Sequence, residues 1–119
     1  MSDIKDFKDL KIWEKGMIIA EKCYLLTKKF PKEETYGMIQ QIRRASVSIP
    51  ANIAEGYGRR SSGDYTRFLN ITQGSINELE THLLLSVRIQ LCTFNDVESI
   101  INQLKEESRM IISLINKLK

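Results

Sequence analysis

Five arginines carry the most suggestive chemistry in this sequence. Arg43, Arg44, Arg59, Arg60 and Arg67 fall between positions 43 and 67 with only two carboxylates, Glu55 and Asp64, among them. That segment holds a net charge of +3, the whole formal excess of a chain with 18 lysines and arginines against 15 acidic residues. Guanidinium groups offer forked donors that match pairs of phosphate oxygens. The pattern points to a phosphate-contacting surface with RNA or DNA as the ligand, and Tyr57 and Tyr65 are spaced to stack on bases. Arg59 and Arg60 also stand just ahead of a predicted helix start, where free N–H groups and the helix dipole attract anions. The same side chains have an equally physical second use. Arg43 or Arg44 paired with Glu78 or Glu80 would tie two helices, or two subunits, together.

Other chemistries fit less well. Asn52, Glu55, Glu78, Glu80 and His82 resemble a carboxylate metal set, but a di-iron bundle needs Glu-x-x-His on two helices and the chain has a single histidine. No metal and no cofactor are expected. GYGRRSSG lacks the GK[ST] with which a P-loop grips phosphate and magnesium. Ser46, Ser48, Ser61 and Ser62 have no patterned base to activate them. The expectation is a protein that is not an enzyme. Cys23 and Cys92 form no CxxC pair and read as packed, reduced thiols. The start, MSDIKDFKDLK, has no apolar signal core, and no apolar run is long enough to span a bilayer, so the expected location is cytoplasmic.

The elements that must position these residues are helical. A chain of 119 residues with 42% hydrophobic and 28% charged residues is expected to be one domain, residues 1–119. Leu10, Trp13, Met17, Ala20, Tyr24 and Thr27 recur at spacings of three and four, a helix face that ends at Phe30–Pro31. A second helix is predicted from near Glu33, and Ile39, Ile42, Ser46, Ile49 and Ile53 keep phase through Pro50 until the glycines of GYGRRSSG. Unbroken phase across a proline predicts one kinked helix. Ser61 or Ser62 caps a third helix, with Tyr65, Phe68, Thr72, Ile76, Leu79, Leu83 and Val87 inward. Asn95 or Asp96 is expected to cap a fourth, with Val97, Ile100, Leu104, Ser108, Ile111, Ile115 and Leu118 inward. Long helices on short connections predict an all-α, up-down-up-down antiparallel four-helix bundle with a proline-kinked second helix.

One seam per helix suffices for a lone bundle, and this chain has more. On helix 1, Ile12, Gly16, Ile19, Cys23 and Leu26 form another four-three stripe, about 120° around from the Trp13 stripe at 100° per residue. Helix 2 adds Val47, Pro50, Ala51 and Ala54, away from its isoleucines, and helix 3 adds Ile71, Leu85 and Ile89. Apolar stripes of this length invite association. The expectation is a homo-oligomer of cyclic symmetry, built on Ile12, Gly16, Ile19, Cys23, Leu26, Val47, Pro50, Ala51 and Ala54.

Residues 40–81, QQIRRASVSIPANIAEGYGRRSSGDYTRFLNITQGSINELET, closely resemble the signature of bacterial four-helix-bundle proteins encoded within intervening sequences of 23S ribosomal RNA. The upstream FKDLKIWEKGMIIAEKCYLLTKKFPKEETYGM, with Phe7, Leu10, Trp13 and its FP-x-EE-x-YG corner, is similar to the same family. The resemblance covers about residues 7–92, and the fourth helix matches only as a generic amphipathic one. It implies ring-shaped homopentamers with a largely unassigned role. A related branch, the accessory protein of diversity-generating retroelements, implies a basic pentamer that binds a reverse transcriptase and nucleic acid, although nothing in this chain places it in that branch. The candidate partners are therefore other copies of the chain, RNA or DNA, and, as the alternative, another protein docked on an adaptor ring.

Overall fold

The structure, a computed structural model, describes residues 4–119. A 3-10 turn, Phe7–Asp9, leads into α1 (Lys11–Thr27). A second 3-10 turn, Lys32–Glu34, precedes α2 (Met38–Tyr57), and α3 (Ser62–Arg88) and α4 (Phe94–Leu118) complete the chain. α1 packs on α2, α2 on α3, α3 on α4, and α4 returns to α1. The body measures 47 × 23 × 21 Å, as expected of helices side by side.

Cross-helix pairs fix the directions. Lys15 and Lys22 of α1 reach Glu106 and Ser99 of α4, so numbers rise along one helix as they fall along the other. Gly16 lies against Ile49 and Pro50 while Thr27 meets Arg43, which makes α1 and α2 antiparallel. Ser48 meets Ser75, and Gly56 packs on Phe68, so α2 and α3 are antiparallel too. The four helices therefore alternate up and down.

Local chemistry sets the ends. Asp6 and Asp9 form a capping box on the first turn, and Ser61 Oγ accepts the Asp64 N–H at the start of α3. α4 is capped by Thr93, not by Asn95 or Asp96: Thr93 and Asp96 bond reciprocally, each side chain to the other's backbone N–H. α2 starts at Met38, later than Glu33, because Glu33 and Glu34 are taken up by the 3-10 turn; Glu34 Oε1 instead accepts the Met38 N–H. α2 then runs as one helix through Pro50. α3 closes with the Leu91 N–H on the Ser86 carbonyl and the Gln90 N–H on Val87, placing Gln90 at φ 67°, a position glycine usually fills.

The core is one apolar cluster from all four helices. The inward faces expected for α3 and α4 hold in Thr72, Ile76, Leu79, Leu83, Val97, Ile100, Leu104, Ile111 and Ile115, all buried. α2 buries Ile42, Ser46, Ile49 and Ile53 as expected. On α1 the first stripe is only partly inward: Leu10, Ala20 and Thr27 are buried as expected, and the second stripe goes inward with them. Ile12 and Ile19, 5% and 1% exposed, point inward with Gly16, Cys23 and Leu26, whereas Met17 and Tyr24 lie on the surface. The cause is close approach. A Cβ on Gly16 would stand 3.3 Å from Ile49 Cγ2 and 3.4 Å from Pro50 Cβ, so the glycine stripe is the one that lets α1 sit deep against α2. Trp13 is half-buried and meets Phe7 edge to face at 5.4 Å, so the first turn folds over it.

Candidate nucleic-acid interface and assembly face

α2, which carries Arg43 and Arg44 and ends just before Arg59 and Arg60, separates the arginines. Arg43 and Arg59 are sixteen positions apart on or just beyond α2, about 24 Å at 1.5 Å per residue. One cluster along the sequence thus becomes two in space.

At the first, Arg43 is half-buried between α1 and α2. Its Nε donates to Thr27 Oγ1 at 2.9 Å, and its guanidinium lies 4.4 Å from the Tyr24 ring centroid. Thr27 in turn donates to the Cys23 carbonyl at 2.8 Å, which fixes the acceptor. Arg44 is exposed. Both line a shallow depression with Tyr24, Thr35, Ile39, Gln40, Val47 and Ser48. Neither makes the proposed contact to Glu78 or Glu80; among the described residues, Glu78 pairs with His82 instead.

At the second, Arg59, Arg60 and Arg67 gather where α2 turns into α3. Phe68 is held between two of them, with the Arg59 and Arg67 guanidinium carbons 4.7 and 4.6 Å from its ring centroid. Arg59 bonds Glu55 at 2.6 Å one turn back, and Arg67 lies 3.9 Å from Asp64. Exposed pairs like these contribute about 0–1 kcal/mol and leave guanidinium edges open to solvent. Arg60 is exposed and holds no ion pair among the described residues. Tyr57 and Tyr65 pack on each other edge to face at 6.1 Å, each half-buried, so the edge of one ring covers a face of the other that was expected to receive a base. Burial, aided by Tyr57, raises the Tyr65 hydroxyl pKa. Gly56 is required here, since a Cβ on it would fall 2.7 Å from Phe68 Cβ.

The expected assembly residues divide as well. Ile12, Gly16, Ile19, Cys23, Leu26 and Pro50 are buried inside the chain's own bundle, which corrects their assignment to an outer face. Val47 (44% exposed) and Ala51 are on the surface, and Ala54 is half-buried. The outer apolar face of α1 is the Met17 stripe widened by Ile18 and Leu25. With Ala20, Tyr24, Val47 and Pro50 it lines a groove of about 800 Å³, rimmed by Glu21 and Lys22. Tyr24 and Val47 also border the depression beside Arg43 and Arg44, so that arginine pair stands at the groove's edge.

Residues 8–113, from the first turn to late α4, match the family model described as 23S rRNA-intervening sequence protein. The chain belongs to the 23S rRNA-intervening sequence protein family. A similar solved structure is that of a protein of unknown function from the S23 ribosomal protein family of Bacteroides thetaiotaomicron VPI-5482. The two are 31% identical with a TM-score of 0.78 over 87% of this chain and 97% of that one. No curated protein matches the chain.

In this intervening-sequence protein the residues missed by sequence reasoning are the braces. Phe68 reads as a core position by spacing, yet it is only half-buried and its ring holds two arginines. Tyr24 and Thr27 read as core partners of Trp13; Thr27 is buried as expected, Tyr24 is exposed, and both anchor Arg43. Glu107 gives no sign in the sequence of being buried, although it is fully so. Cys23 is sealed inside and burial pushes its thiol up to about 12, against a smaller opposing pull from Ser46. Cys92 is partly exposed, and both cysteines are free. No group of three or more metal-binding side chains occurs among the described residues. No helix among them is long and apolar enough to cross a membrane.

Proposed function

We propose that this chain is a non-enzymatic helical-bundle protein that assembles with copies of itself through the α1–α2 groove and holds RNA or DNA backbone on the arginines at the α2–α3 turn. The observation that carries the reading is the bracing of Arg59 and Arg67 on Phe68, which holds two phosphate-matching forks in place on an exposed end. Immobilising side chains before a ligand arrives lowers the entropy lost on binding. The groove supports self-assembly because its floor is apolar and its rim offers one acid and one base, so symmetric copies can satisfy each other. A ring repeats a modest charge around its axis, and five copies is the number that the family resemblance implies.

A second reading is an adaptor ring that docks another protein. It is favoured by Arg59–Glu55 and Arg67–Asp64, which already spend part of two guanidinium charges internally. Salt separates the two. Phosphate contacts release counterions, so RNA retention by the wild-type protein is expected to fall steeply with ionic strength. Arg59→Ala with Arg60→Ala is expected to weaken retention and flatten that slope while leaving the mass by light scattering unchanged. Absence of any salt-sensitive retention would discard the nucleic-acid reading for the adaptor.

A further inference from the structure

Among the described residues, Glu107 is the one charged residue placed wholly inside the bundle. Its side chain has no exposure to solvent, and neither carboxyl oxygen has a hydrogen-bond partner. It sits opposite the close approach of α1 at Gly16: a Cβ on Gly16 would lie 3.3 Å from Glu107 Oε2, the same distance as from Ile49 Cγ2.

The neighbours offer no counter-charge in contact. On α1 the nearest cation is Lys15, which bonds Glu106 at the surface. α2 presents Ile49 and Pro50 at this level, neither ionisable. α3 reaches the adjacent turn of α4 with Gln73, whose amide donates to the Ser108 carbonyl. On α4 itself Glu106 is a like charge, and Gln103, one turn back, buries an acceptor oxygen without a partner, as does Gln73. Gln103 also lines, with Lys15 and Ile18, a small, partly open cavity of about 50 Å³ on the same α1–α4 seam, room enough for a water molecule.

A carboxylate in this setting would be a buried charge among apolar groups and other acceptors, a costly state. A neutral carboxyl would not. We infer that Glu107 is a proton-operated latch: the closed bundle holds it as the neutral acid, and its ionisation loosens the α1–α4 seam and admits water.

Desolvation, opposed by Lys15 and reinforced by Glu106, raises the Glu107 pKa from 4.5 to about 8. Because the folded chain binds this proton more tightly than the unfolded chain, the contribution is complete below pH 4.5 and is lost as pH rises through about 8. The folding constant is expected to fall by up to about tenfold per pH unit across that window.

The experiment compares wild type with Glu107→Gln, which keeps the shape and cannot ionise. Denaturant unfolding at pH 5 to 9 is expected to show the wild type losing stability relative to the variant as pH rises. Amide exchange at residues 15–19, corrected for intrinsic rates, should accelerate with pH in the wild type alone. Parallel stability curves would overturn the latch. The carboxyl carbon-13 resonance of Glu107 in the wild type decides the matter independently of whether the variant folds. Persistence of the protonated shift at pH 7 supports the proposal, and titration near the ordinary glutamate value overturns it.

Discussion

The two apolar stripes of α1 have different fates. One is divided, with Met17 and Tyr24 outside and Leu10, Ala20 and Thr27 buried; the Ile12–Ile19–Cys23 stripe contains a glycine and lies wholly inside. Size alone does not choose the buried face. Gly16 chooses it, because only that side lets α1 approach Ile49 and Pro50 within van der Waals contact. What remains outside is therefore bulky and apolar, and has a neighbour in Val47 with which to form the groove. Inner and outer faces are two consequences of one packing choice.

That contrast can be broken most severely from within. Ile19→Ala removes a fully packed side chain and is expected to cost about 2–5 kcal/mol, whereas Met17→Ala should stay within about 0.5 kcal/mol in the isolated protomer; chemical denaturation reads both. Ile19→Glu should accordingly yield an unfolded chain and not a folded monomer. Equal losses at positions 17 and 19 would mean that the stripes are not inner and outer at all. Next comes Gly16→Val, which overfills the α1–α2 contact and should destabilise by about 1–3 kcal/mol.

Val47→Glu sharpens the comparison from the other side. Its effect on protomer stability is expected within about 0.5 kcal/mol, while the mass measured by light scattering should drop towards that of a single chain. An unchanged mass would remove the groove from the assembly. The smallest effect is expected at Gly74, an exposed helical glycine whose added Cβ would meet nothing within 4 Å. Gly74→Ala should raise stability by about 0.5–1 kcal/mol in thermal unfolding, the opposite sign to Gly16.

α3 and α4 were legible because their strongest apolar positions repeat along one face, so periodicity leaves little choice of burial. α1 was not, since two stripes satisfy the same period and the sequence does not say which one a neighbour can approach. The proline was read correctly as interior to α2, where phase on both sides constrained it. The Thr93–Asp96 cap was visible as a T-x-x-D spacing, but the polar pair Asn95 and Asp96 offered a competing start. The arginines show the reverse limit. Proximity along the sequence implied one patch, and a rigid helix carried its members to separate places. Phe68 and Glu107 depend on what lies across the bundle, which helix period alone does not encode.

The sealing of Cys23 has a practical outcome. A thiol that is both enclosed and reluctant to lose its proton cannot meet an alkylating reagent until the helices part, while Cys92 is reachable from solvent without that event. The pair thus makes a native clock and its control: the lag between their labelling times the spontaneous breathing of the bundle, with no probe added to the chain.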